Sequence, residues 1–206
     1  MTATPAIPAQ PDPAATTPPT EADAAAEVVV LVGNPRPGSR SRALAEAATE
    51  SLVAGLARSA TGLHGVRVLE LATLVGVSFD AEPARGSAEV ADPFEVVRSA
   101  RLVIVATPTY KGSYTGLLKI FLDQFGHRGL AGVVAVPVTI AASDAHLRAV
   151  TNSLTDLLAE LGATLPAEPL AALETQLTDI DALVAGWVDR QVGLVGGAIA
   201  DLRVRA

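Results

Sequence analysis

Apolar and polar positions along this chain fall into blocks of two kinds. Short β-branched apolar runs occupy residues 28–32, 66–71, 102–106 and 133–139, each bounded by turn-forming residues. Runs of that length and composition predict buried strands. Between them lie longer stretches with helical character over 43–58, 94–100, 116–125 and 145–161, and a closing helix is expected over 178–203. A fifth strand is expected at 164–170, where Pro166 and Pro169 interrupt the pattern. Residues 72–93 form a long mixed loop, and Gly193, Gly196 and Gly197 are unfavourable in the middle of the last helix.

Apolar strands separated by helices imply an α/β protein with a parallel sheet covered on both faces. Five strands suggest a doubly wound, flavodoxin-like sheet of order 2-1-3-4-5. In that topology a ligand binds beyond the carboxyl ends of the strands, where the order reverses between strands one and three. Residues 1–25, rich in Ala, Pro and Thr, carry almost no large apolar side chain and are expected to stay outside the fold. One domain over 26–206 follows.

Composition narrows the chemistry. The 206 residues are 50% hydrophobic, enough for a substantial core, and the net charge of −7 gives no electrostatic support for binding nucleic acid. There is no cysteine, which excludes thiol chemistry and cysteine-held metals. No apolar run has the ~18 residues of a membrane helix, and no basic region precedes Arg36 as in a secretory signal. A cytoplasmic location is expected.

The loops after strands one and three are the informative stretches. Gly33-Asn34-Pro35-Arg36-Pro37-Gly38-Ser39-Arg40-Ser41-Arg42 joins a strand to a helix. Free N–H groups at a helix N-terminus attract an anion, and Ser39, Ser41 and the arginines add donors. An ordinary connection with Ser39 or Ser41 as a helix cap is the alternative reading. The loop is not an ATP-binding P-loop, because Ser39 stands where the lysine belongs, and the dinucleotide pattern G-x-G-x-x-G is missing. A single phosphate monoester fits better.

The second loop, 107–116, holds both tyrosines (Tyr110 and Tyr114), Lys111, Ser113 and the glycines Gly112 and Gly116. Close backbone approach with many amide donors suits the edge of a planar ring, and a ring plus one phosphate across a switch point describes FMN. Strand three ends in Ala106-Thr107-Pro108 without a phospho-acceptor aspartate, which rules out a response regulator.

Together, Gly33-Asn34-Pro35-Arg36 with Ser39-Arg40-Ser41, and Pro108-Thr109-Tyr110-Lys111 with Tyr114-Thr115-Gly116, resemble the NAD(P)H-dependent FMN reductases. The similarity is greatest to the sulfonate-utilisation two-component type. It implies that Asn34, Arg36, Ser39, Arg40 and Ser41 hold the FMN phosphate. It also implies that Pro108, Thr109, Tyr110, Lys111, Gly112 and Ser113 line the ring, with Ala142 and Ser143 at its other edge. Asn34 stands where the family usually has serine, and Ala141-Ala142 where the subtype often has two glycines. Tyr114 matches a tyrosine associated with a π-type irregularity, flavin release and a subunit interface, so a homodimer or homotetramer is implied.

The expected reaction is hydride transfer from NADPH, or NADH, to FMN, with reduced flavin passed to a monooxygenase. That chemistry belongs to the cofactors, so no catalytic acid–base residue and no metal are expected. Arg36, Arg40, Arg42 and Arg85 are candidates for the 2′-phosphate of NADPH. An FMN-retaining quinone or azo reductase is the alternative, as is a flavodoxin-like electron carrier. Carriers usually sandwich the ring between aromatics, and this chain is only 3% aromatic.

Overall fold

The computed structural model describes residues 26–59, 61–74 and 92–205, with side chains through 202. The 1–25 stretch and most of the expected 72–93 loop, with Arg85, lie outside the described residues. The strands are β1 (Val28–Val32), β2 (Val66–Glu70), β3 (Leu102–Pro108), β4 (Val134–Ala141) and β5 (Leu170–Leu173). All pairings are parallel and the order is β2-β1-β3-β4-β5, as the pattern predicts. The helices are α1 (Arg40–Arg58), α2 (Leu71–Leu74), α3 (Pro93–Ser99), α4 (Gly116–Leu122), α5 (Asp144–Glu160) and α6 (Ile180–Arg205).

The period of two along each strand divides the core. Val28, Val30 and Val32 of β1, with Leu102 and Ile104 of β3, pack under α1 and α6. Val29 and Leu31, with Val103 and Val105, pack under α3, α4 and α5. Every residue of β1 is buried, which is why its sequence is a run and not an alternation.

Three elements differ from expectation for identifiable reasons. Helix α1 begins at Arg40, three residues before the expected start, because Ser39 caps it and accepts the Arg42 N–H at 3.3 Å. The glycines of α6 do not break it. Gly196 lies where an added Cβ would meet Leu56 of α1 at 3.1 Å, so its bare backbone lets the two helices pack closely.

Strand β5 begins where the expected strand ends. Thr164 makes one bridge to Val134, and the ladder resumes only at Leu170 opposite Val138. The Ala135 N–H donates to the Thr164 carbonyl at 2.9 Å. Pro137, two residues on, therefore faces the same side with no N–H to give. Prolines 166 and 169 add to the gap, and the chain cannot pair until it has passed them.

Candidate functional site

The carboxyl ends of β1, β3, β4 and β5 open into one crevice with a volume of about 400 Å³. Its walls come from the β1–α1 loop (Asn34 and Arg36 to Ser41), the end of β3 (Pro108–Tyr110), the end of β4 (Ile140–Ala142), His146 and Glu174. The switch point between β1 and β3 is thus where the topology places a ligand.

The β1–α1 loop is held from behind. Glu70, at the end of β2 and only 6% exposed, accepts the Gly38 N–H at 2.8 Å and one Arg42 guanidinium N–H at 2.9 Å. Gly38 has φ +63, a left-handed turn that glycine adopts without steric cost. The Asn34 carboxamide accepts the Arg36 N–H at 2.9 Å and donates to the Ser41 hydroxyl at 3.4 Å. Asparagine in place of serine therefore braces the turn from inside, because its longer side chain spans to α1. Arg40 and Ser41, the first two residues of α1, have N–H groups without a carbonyl acceptor in the helix.

The three arginines of this loop are not equivalent. Arg42 is not part of the crevice wall; Glu46 at 3.0 Å and Glu70 at 2.9 Å engage its guanidinium. Its pKa is raised, first by the hydrogen bond to Glu46 and then by that to Glu70. Arg40 lines the crevice and pairs with Glu174 at 3.0 Å. Arg36 lines it with no charged partner among the described residues.

The two loops are stitched together. Thr115, the N-cap of α4, donates its hydroxyl to the Gly33 carbonyl in a short hydrogen bond and accepts the Leu118 N–H at 3.1 Å. Its own N–H reaches the Thr107 hydroxyl at 3.2 Å. Thr109 turns inward, with its N–H and hydroxyl both donating to the Ile140 carbonyl, at 2.8 and 2.9 Å. These bonds hold Pro108, Thr109 and Tyr110 against the end of β4.

Beyond Tyr110 the chain makes a two-residue hairpin, with Tyr110 and Ser113 exchanging backbone bonds of 2.8 and 3.1 Å. Lys111 (φ +53) and Gly112 (φ +82) occupy its left-handed corners. A lysine there is strained, so Lys111→Gly is expected to raise stability by about 0.5 kcal/mol, less than the roughly 1 kcal/mol of relieved strain because glycine loses more entropy. Thermal unfolding in the absence of ligand checks this; a lower Tm would show that the lysine side chain contributes more than the strain costs.

Of the residues expected at the site, Asn34, Arg36, Ser39, Arg40, Ser41, Pro108, Thr109, Tyr110 and Ala142 meet in the crevice. Lys111, Gly112 and Ser113 form the hairpin beside it, and Ser143 caps α5 by accepting the His146 N–H at 3.5 Å. Tyr114 is half-buried against the core beneath α4. It precedes the helix, and α4 is an ordinary α-helix from Gly116 to Leu122, so the expected π-type irregularity is absent. With Thr115 as its cap, α4 starts too late to include Tyr114.

His146 and Glu174 also line the crevice. Sequence motifs give neither a place in the site. An expected fifth strand at 164–170 puts the following loop, which should converge on the site and which carries Glu174, in the wrong place. Groups of acidic, histidine or cysteine side chains suited to a metal are absent among the described residues, as is any helix long and apolar enough to cross a membrane.

Residues 26–184 match the family described as NADPH-dependent FMN reductase. The chain belongs to that family. It is 34% identical over 148 residues to the NADH-dependent FMN reductase SfnF of Pseudomonas putida, covering 71% of this chain and 77% of that protein. It is 35% identical over 153 residues to FMN reductase (NADPH) of Escherichia coli strain K12, covering 74% and 75% respectively. The structure of the apo form of the NADH:FMN oxidoreductase EMOB aligns with a TM-score of 0.59 at 28% identity, covering 86% of this chain and 88% of that one. An oxidoreductase from Corynebacterium diphtheriae aligns with a TM-score of 0.64 at 19% identity, covering 85% and 97%, and shares the fold. The chain is an NAD(P)H:FMN oxidoreductase of flavodoxin-like fold.

Proposed function

We propose that this reductase binds FMN in the crevice with the phosphate at the N-terminus of α1 and the ring along Pro108–Tyr110, and releases reduced flavin to a separate monooxygenase. The observation that carries the reading is the convergence of an anion-suited loop and a backbone-lined slot in one crevice of about 400 Å³. Asn34, Arg36, Ser39, Arg40 and Ser41 face the phosphate in this arrangement, and Ala142 and Ser143 stand at the far edge of the ring. FMN held by these residues would supply the acceptor for the nicotinamide hydride; the protein's part is to orient the two rings and to exclude competing acceptors.

Release, rather than retention, is supported by the sparse aromatic content of the crevice. Tyr110, itself 41% exposed, is its one phenylalanine, tyrosine or tryptophan among the described residues. A ring held on one side by a partly exposed tyrosine has less stacking area than one held between two aromatics. This disfavours the carrier reading. Tyr114 and the outer face of α4, where Ile120 is 43% exposed, are assigned to contacts between subunits of a homodimer or homotetramer. The cytoplasm, which holds the reduced nicotinamide pool, is the assigned location.

The test is oxidation of NADPH and of NADH, followed by absorbance, with and without added FMN on freshly purified protein. Oxidation that saturates with added FMN, from protein that purifies nearly colourless, supports a flavin-releasing reductase. Yellow protein that turns over without added FMN supports the retaining reductase, and tight FMN binding without oxidation of either nucleotide supports the carrier.

A further inference from the structure

We propose that Glu174 competes with the flavin phosphate for Arg40, and so sets how readily FMN leaves the crevice. This rests on the reading of the crevice as the FMN site and adds a residue that neither the motifs nor the family comparison assigns.

Glu174 opens the turn that follows β5, on the rim opposite the β1–α1 loop. Its carboxylate lies 3.0 Å from the Arg40 guanidinium, and both side chains line the crevice while remaining 44% and 60% exposed. The pair therefore joins two rims of the site that are far apart in the chain. It is also the crevice wall's one carboxylate among the described residues.

The charge around the cradle is divided unequally. Arg42 is committed to Glu46 and Glu70 behind the loop, which leaves Arg36 and Arg40 to meet an anion. Arg40 is already occupied. A phosphate that approaches the first turn of α1 must draw Arg40 from Glu174 or share it, and in either case a carboxylate stays beside a dianion. Both effects weaken binding of the phosphate and neither acts on the ring. An exposed pair of this kind is weak, so it yields to the ligand and does not bar it. Such a contact suits an enzyme whose flavin must come and go.

The experiment compares FMN and riboflavin binding to wild type and Glu174→Gln by titration of flavin fluorescence, at low and high salt. Glutamine keeps the size and the hydrogen bond and removes the charge. FMN is expected to bind about three- to tenfold more tightly at low ionic strength, with the gain shrinking in high salt. Riboflavin affinity should not change, since it lacks the phosphate. In an Arg40→Gln background the same substitution should give a smaller gain, because the competition for the guanidinium is gone.

An unchanged FMN affinity, or an equal gain for riboflavin, would overturn the proposal. Wild-type protein that binds riboflavin as tightly as FMN would instead remove the phosphate cradle itself, and this role for Glu174 with it.

Discussion

Replacing Arg36 and Ser39 together by alanine is expected to weaken FMN binding about 100-fold, the equivalent of about 2.7 kcal/mol. Arg36 lines the crevice without a charged partner among the described residues, so its guanidinium is the one free to meet a phosphate in full. Ser39 sits at the start of α1 with its hydroxyl oxygen accepting the Arg42 N–H, which leaves its hydrogen to donate to an anion. Charge-assisted hydrogen bonds contribute about 1.5–3 kcal/mol each when the partner is ionised, and the exposure of Arg36 to solvent keeps the loss for the pair just below the sum of the two lower limits. Ser39→Ala also removes a helix cap and should cost about 1 kcal/mol of stability. Binding must therefore be measured well below the Tm of the variant. Riboflavin affinity should move little, and an FMN affinity that moves no more than that of riboflavin would show that the phosphate lies elsewhere.

Gly33→Ala is expected to lower stability by about 3 kcal/mol, and Tm by about 10 °C for a domain of this size. An added Cβ would stand 2.6 Å from the Cβ of Leu118 and 3.1 Å from both of its methyl carbons. Leu118 is fully buried in α4, and its Cβ moves only with the helix backbone. Either α4 shifts or β1 does, and the Thr115 hydroxyl that bonds the Gly33 carbonyl lies directly between them. Since that bond joins the two loops of the crevice, FMN affinity should fall about tenfold with stability, because a small misplacement of binding groups is costly. Leu118→Gly, which removes the opposing Cβ, is destabilising alone, but combined with Gly33→Ala the loss should be less than the sum of the two. Additive losses, or an unchanged Tm for Gly33→Ala, would show that the loops are not coupled through this contact.

Much of this protein could be read along the chain because local chemistry and burial agreed there. Continuous β-branched runs marked β1, β3 and β4, since a strand covered on both faces has no polar side to present. Ser39 in front of a helical stretch marked the α1 N-terminus as a place for an anion, although the helix itself starts at Arg40. Elements governed by distant partners were harder to place. The start of β5 depends on Pro137, a residue of another strand that cannot donate across the gap. At Gly196 the outcome depends on what the residue faces, because helix propensity counts only the backbone cost and not the close packing on Leu56.

The division at the site follows the same physics. Residue types and their order determined that this is a parallel α/β domain with one phosphate-suited loop and one ring-suited loop, because turn, strand and helix preferences act over a few residues. Tertiary structure alone decided which arginine is free. Glu70 takes Arg42 from 28 residues away, and Glu174 takes Arg40 from the far end of the sheet. Coulomb attraction depends on distance in space and not on separation along the chain, so those pairings exist only once β2 and β5 have been placed beside α1.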